Sequence, residues 1–391
     1  MQMHQRNLYM NSSTSQKLAS NQMEASACLI IKDDNPMLIE WLAYHYQVLP
    51  LRHLIVASDP SSLTKPTDIL DRWRRLIPDL NILEWTEKDY QFNRTWANSK
   101  GGDDPFLIAE YSLVARQRGF YSSCASYFKE HKRTWVFIFD VDEYVVFNTL
   151  HDDDPVKSEE LEKFYSLPRQ HTIKRYRKRR NDWMINHEEG LKKLREQVPK
   201  IGSKTVLEFI AEIRNDPFSP FNLRPSYTMP RLFHSAIEAT VEERSHLNLL
   251  TDFDPSKFLT LQYFRHAEKG AFPWNRYGKS MFDVSRIPIE YLKPSIHEHQ
   301  GVGYTDDSES IFYSESLLRI NHYLGSWDAY QRPDDDRRSR KDFEERARVN
   351  NGKMYSTTPW LNAFIENVGI AKAKLLLEDV GDYNWKQNIH K

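Results

Sequence analysis

Cysteine is nearly absent: Cys28 and Cys124 are the only two in 391 residues. Two thiols are too few for a disulfide framework or a thiolate metal site, and whether they pair with each other stays open. Cysteine usage therefore does not reveal the compartment. Long apolar runs are missing as well. No stretch approaches the roughly 20 apolar residues needed to cross a bilayer, and residues 1–25 are polar, without the apolar centre of a signal peptide. The chain is expected to be soluble, with no transmembrane segment. Neither sign of charge is in excess. With 54 basic against 55 acidic residues and a net charge of -1, nothing calls for nucleic acid or an anionic membrane as the main partner. No internal repeat is visible.

What is present is material for a core. A hydrophobic content of 40% and an aromatic content of 13% suit a globular protein of one large or two ordinary domains. Residues 1–25, rich in Ser, Asn, Gln and Met without periodicity, read as a flexible lead-in. A single folded domain is expected over 26–391. It opens with the apolar strand 27–31, a polar loop, and a helix to residue 48 for which Asn35 is the expected cap and Pro36 the first position. The pattern repeats: a strand at 54–57 ending at Ser58 and Asp59, a helix over 69–77, a strand at 80–85, a long helix toward His131, and a strand at 135–139 apolar on both faces. Such alternation predicts an α/β fold with a mostly parallel central sheet flanked by helices. After Asn148 the character changes. The basic run 174–180 reads as a solvated face. Strand-like pieces at 258–264 and a final helix over 360–377 suggest an α+β C-terminal portion.

Asp33, Asp59 and Asp140 each stand at the carboxyl end of an expected strand, where open parallel sheets bind ligands. Asp140 and Asp142 flank one residue, so in an extended chain both carboxylates face one volume. Their mutual repulsion is relieved by a divalent cation, and magnesium or manganese so held keeps positions open for substrate phosphates. The pattern suggests stabilisation of a departing nucleoside diphosphate. Two alternatives stay open. The carboxylates are merely a polar strand end, or Asp140 is the nucleophile and Asp142 the acid/base of a haloacid-dehalogenase-like phosphatase, although Tyr144 stands where that pattern wants Thr or Val.

Several motifs in order resemble the nucleotide-sugar glycosyltransferases of the GT-A fold, in particular glycosyltransferase family 92 and its algal and protist relatives. They are Lys32-Asp33-Asp34-Asn35-Pro36 with Glu40-Trp41-Leu42-Ala43-Tyr44-His45, then Cys124, then Phe139-Asp140-Val141-Asp142-Glu143-Tyr144. Met229-Pro230-Arg231-Leu232-Phe233-His234-Ser235, Tyr277-Gly278-Lys279-Ser280 and Asn321-His322-Tyr323-Leu324-Gly325-Ser326-Trp327 follow. The resemblance departs at Asp33-Asp34, where the family has Asn-Glu, and at His234, where it has Gly.

The resemblance implies a nucleotide-binding half over about 26–150 and an acceptor-side half over about 151–391. It implies that Lys32, Asp33 and Asp59 line the donor pocket, with Lys279 and Ser280 near the donor phosphates. Asp140, Asp142 and His322 would hold Mn2+ or Mg2+. His297 and His299, at metal-ligand spacing, read rather as a pocket wall. The implied reaction is inverting hexosyl transfer, galactose favoured, from a UDP-sugar to a glycan hydroxyl. Its general base is expected at Glu238, with Asp283 and Asp328 behind it. A non-catalytic nucleotide-sugar or glycan binder of the same fold is the remaining alternative. Members sit in the Golgi on a short N-terminal membrane anchor; none is visible here.

Overall fold

A computed structural model describes residues 23–90, 92, 94–101, 105–149, 188–199, 202–250, 252–267, 278–292, 316–331, 338–348, 352–353 and 359–383. His297, His299, Tyr277, the basic run 174–180 and nearly all of the expected lead-in lie outside these residues. The longer helices are α1 (Asn35–Val48), α2 (Thr67–Leu76), α3 (Arg94–Gly101), α4 (Pro105–Glu130), α5 (Glu188–Glu196), α6 (Val206–Ile213), α7 (Arg340–Ala347), α8 (Trp360–Val368) and α9 (Ile370–Leu376). The strands of the first half are β1 (Ala25–Ile31), β2 (Leu51–Ser58), β3 (Asn81–Trp85), β4 (Trp135–Ile138) and β5 (Glu143–Phe147). Those of the second are β6 (Ser226–Met229), β7 (Arg231–His234), β8 (Arg265–His266), β9 (Lys279–Asp283), β10 (Leu318–Tyr323) and β11 (Gly352–Lys353).

The fold is α/β with two mixed sheets, ordered β3-β2-β1-β4-β9-β6 and β11-β8-β7-β10-β5. The alternating strands and helices of the first half give parallel pairings of β3 with β2, β2 with β1, and β1 with β4. Strand order reverses at β1 and β4, the kind of position at whose carboxyl ends open α/β sheets bind ligands. The two halves interlock. Strands β9 and β6 complete the first sheet as antiparallel neighbours of β4, while β5 joins the second sheet against β10.

Helix α1 holds the two sheets together. Nearly all of its residues are buried, including Leu38, Trp41, Leu42 and His45, as befits a helix that is apolar almost all round. Tyr44 and Glu40 bind across to other elements. Tyr44 donates its hydroxyl to the Val145 carbonyl at 2.8 Å. The Glu40 carboxylate accepts from the backbone of Leu259 at 2.6 Å and of Thr260 at 3.0 Å, and from the Thr260 hydroxyl at 2.6 Å. Burial nevertheless pushes the Glu40 carboxyl up to about 7, against those three bonds.

Three local expectations are corrected. Asp34, not Asn35, occupies the cap position of α1, and the Asn35 amide instead donates to the Lys65 carbonyl. The apolar stretch 258–264 contains a helical turn over Leu259–Gln262 in place of a strand: the Leu259 and Thr260 N–H groups end on Glu40, and those of Leu261, Gln262 and Tyr263 on the Phe258 and Leu259 carbonyls. The expected final helix is broken at Gly369, whose φ of 84° leaves the helical region and separates α8 from α9.

Cys28 of β1 and Cys124 of α4 form a disulfide across a sequence separation of 96. Closing so long a loop in the unfolded chain removes about 4–5 kcal/mol of its conformational freedom in the loop-entropy view. Replacing both cysteines by serine should therefore lower the urea unfolding free energy by a few kcal/mol. Unchanged stability in the double variant would mean that the bridge contributes nothing to folding.

Candidate metal and donor site

Strand β4 ends at Ile138, and the chain then turns, the Glu143 N–H donating to the Asp140 carbonyl at 3.1 Å before β5 begins in the second sheet. The carboxylate motif is thus the junction between the two sheets. An extended Asp-x-Asp would aim both side chains one way; a turn does not.

Asp140 faces Lys279, whose ammonium lies 2.6 Å from Oδ2. Asp142 faces His322, with Oδ1 3.6 Å from Nδ1. Glu143, fully buried, joins the two. Its Oε2 accepts from the Asp140 N–H at 2.8 Å and lies 3.1 Å from Lys279, while Oε1 lies 3.3 Å from His322 Nδ1 and 3.6 Å from Arg231.

Among the described residues, Asp142, Glu143 and His322 form the one group of three metal-type ligands, with their atoms within 4.8 Å of one another. The expected set was Asp140, Asp142 and His322; the group found contains Glu143, while the turn places Asp140 against Lys279. Two carboxylates and an imidazole suit Mn2+ or Mg2+. Asp142 Oδ1 is buried without a hydrogen-bond partner among the described residues, which leaves it available to an ion.

The strands explain these positions. Antiparallel register places His322 of β10 opposite Glu143 of β5, and parallel register places it beside Phe233 of β7, on whose ring it stacks at 5.3 Å. Gly278 lets β9 start close against β6; a Cβ there would lie 2.7 Å from the Met229 carbonyl oxygen. Lys279 is thereby paired with Met229 and inserted, unexposed, between the carboxylates.

Burial works to raise the Glu143 carboxyl, but Lys279, His322 and Arg231 outweigh it and hold Glu143 well below the usual carboxylate range. Burial likewise works to lower the Lys279 ammonium, and Asp140 and Glu143 more than reverse it. Enclosure pushes the Asp140 carboxyl up against the pull of Lys279, with Glu143 and Asp142 reinforcing the rise; its side chain keeps 34% of its exposure.

The donor-side expectations divide. Lys32 and Asp33 follow β1 and Asp59 follows β2, on the carboxyl rim that also carries Asp140. Asp33 is held at a φ of 57°, its carboxylate accepting from the Thr64 N–H at 2.8 Å and from the Thr64 hydroxyl at 3.0 Å. Asp59 accepts from Ser61 and pairs with Arg116 at 3.1 Å, and Arg116 in turn binds Glu87 at 2.6 Å. Both aspartates therefore shape the loops of the rim. Ser280 does not join Lys279. Strand alternation turns it to the opposite face, where its buried Oγ has no hydrogen-bond partner among the described residues.

The acceptor-side expectations divide too. Glu238 is exposed just beyond the carboxyl end of β7, its carbonyl bonded by Arg265 at 2.9 Å. Asp328, also exposed, follows β10, and both carboxylates act electrostatically on Tyr263. Asp283 is elsewhere. It pairs in register with Trp135 at the start of β4, four residues or about 13 Å along β9 from Lys279, and is ion-paired with Arg214 at 2.6 Å. Its carboxylate is fully buried and engaged at the end of the sheet opposite the carboxyl rim.

Compared with known proteins, the chain matches no family model and no curated protein. The family resemblance therefore rests on the motifs alone. Arg231 and Arg116 escaped the sequence reading; Arg231 lay within a motif already quoted, whereas no local pattern marked Arg116.

Proposed function

We propose that the chain is a metal-dependent inverting glycosyltransferase of the GT-A type, moving a hexose, galactose favoured, from a UDP-sugar to a glycan hydroxyl. The observation that carries this reading is the Asp142, Glu143 and His322 group standing on the rim beside the β1/β4 reversal. The carboxyl ends of strands at such a reversal are where an open α/β sheet binds a nucleotide. A divalent ion, when bound, would stabilise charge on the departing diphosphate.

In this reading Asp142, Glu143 Oε1 and His322 Nδ1 hold the ion. Asp140 and Lys279 form the polar wall beside it, and Lys32 with the loops pinned by Asp33 and Asp59 borders the nucleotide. Glu238 takes the proton from the acceptor hydroxyl as the bond to the anomeric carbon forms. The disulfide fits a protein of the secretory pathway, where Golgi residence is the family's expectation. No described helix is long and apolar enough to cross a membrane.

Glu238→Gln should reduce UDP release from a UDP-hexose in the presence of acceptor by about 100-fold or more, while UDP affinity by calorimetry stays within twofold. Loss of UDP binding in step with turnover would assign Glu238 a structural role. Full activity in the variant would move the base elsewhere.

A further inference from the structure

The carboxylates on the rim already hold a cation of the protein's own. Lys279 is unexposed and lies 2.6 Å from Asp140 and 3.1 Å from Glu143, and Arg231 lies 3.6 Å from the other Glu143 oxygen. Three carboxylates thus face two fixed cations, and one net negative charge remains to receive a divalent ion. Binding that ion alone would leave an excess positive charge in an enclosed site. At an effective dielectric of about 20, a monovalent and a divalent cation a few ångströms apart repel by roughly ten times RT or more. Lys279 cannot retreat easily, since it opens a buried strand paired to β6 and its preceding glycine is pressed against the Met229 carbonyl. A diphosphate, bringing at least two negative charges, removes the imbalance.

We infer that Lys279 is an internal counter-cation that prevents the Asp142, Glu143 and His322 site from holding a divalent ion by itself, so that ion and diphosphate bind together. The inference rests on the reading that this site takes an ion and a nucleoside diphosphate. It deepens that reading by assigning a lysine to the order of binding. The coupling is reciprocal: whatever factor UDP adds to ion affinity, the ion adds to UDP affinity.

The test is calorimetric titration with MnCl2, with and without saturating UDP, of the wild type, Lys279→Gln and Lys279→Arg. The wild type should bind Mn2+ alone at least about tenfold more weakly than with UDP present. Lys279→Gln should bind Mn2+ alone at least about tenfold more tightly than the wild type and lose most of the coupling, while Lys279→Arg keeps the wild-type pattern. Equal Mn2+ affinity in the wild type and Lys279→Gln, or identical behaviour of the Gln and Arg variants, would overturn the inference. If Lys279→Gln fails to fold, Arg231→Gln removes the other cation on Glu143, and the same gain in Mn2+ affinity is required of it. Tighter Mn2+ binding by Lys279→Gln with no UDP binding by any form would uphold the role of Lys279 at the ion site and sink the glycosyltransferase reading.

Discussion

Between pH 6.5 and pH 4.5 the folded chain should lose on the order of 4 kcal/mol of stability, because three histidines are buried in neutral form. Burial pushes His45 down to about 3 and His266 to about 4, and burial with the neighbouring His266 and Arg319 takes His234 well below its ordinary value. A base whose pKa falls on folding binds fewer protons in the native state than in the unfolded one. Its contribution is fully present above the unfolded value near 6.5 and is lost as pH falls toward the folded value.

The hydrogen bonds agree with the neutral forms. His45 Nδ1 donates to the Trp41 carbonyl, and Nε2 accepts from the Val145 N–H at 3.4 Å, so a second ring proton would meet a donor. His234 and His266 spend Nδ1 on the Tyr263 and Ala267 carbonyls. Each histidine contributes about 2 kcal/mol over two pH units, and Glu40, raised to about 7, offsets roughly one of them because its protonation favours the fold over the same window. Urea unfolding at pH 7.5 and pH 4.5 measures the difference. His45→Gln retains a donor and an acceptor without titrating and should flatten the profile by about 2–3 kcal/mol. Equal stability at the two pH values would show that the buried histidines do not govern acid unfolding.

Asp142→Ala should weaken Mn2+-dependent UDP binding by about 100-fold or more while leaving the thermal unfolding midpoint nearly unchanged. The separation follows from how Asp142 is built in. Its carboxylate Oδ1 has no hydrogen-bond partner among the described residues, and its contribution to the fold is a carbonyl that accepts from the Tyr323 N–H at 2.9 Å, which alanine retains. Glu143 differs, since it is fully buried and binds the Asp140 N–H and Lys279, so its removal would leave that backbone N–H without its acceptor and take one of two carboxylates from a buried lysine. Asp142 is therefore the position at which ion binding can be removed without the fold. A variant that unfolds would make Asp142 structural; one that binds UDP with Mn2+ as the wild type does would take the ion away from this site.

The first half of the fold was legible because each of its strands is a short apolar run and each helix follows with its own periodicity, as with 27–31 and 37–48. The second sheet was not. Its strands are two to six residues long and pair across large sequence separations, as β10 does with β5, and nothing local announces such partners. Within the site, residue types were readable but directions were not. Asp142 and His322 meet as the motifs implied, yet the turn after β4 sends Asp140 to Lys279 and brings Glu143 to the ligand group. Ser280 lies one step of strand alternation away from Lys279. Asp283 lies at the opposite end of β9, against Arg214, a placement that no local pattern announced.

The central claim is that the rim beside β1 and β4 binds a nucleoside diphosphate through a divalent ion. Calorimetric titration of the wild type with UDP, with and without MnCl2 and with ADP and GDP for comparison, tests it most directly. The account predicts binding that requires manganese and prefers the uridine nucleotide. Absence of binding to every nucleoside diphosphate in the presence of manganese would contradict it.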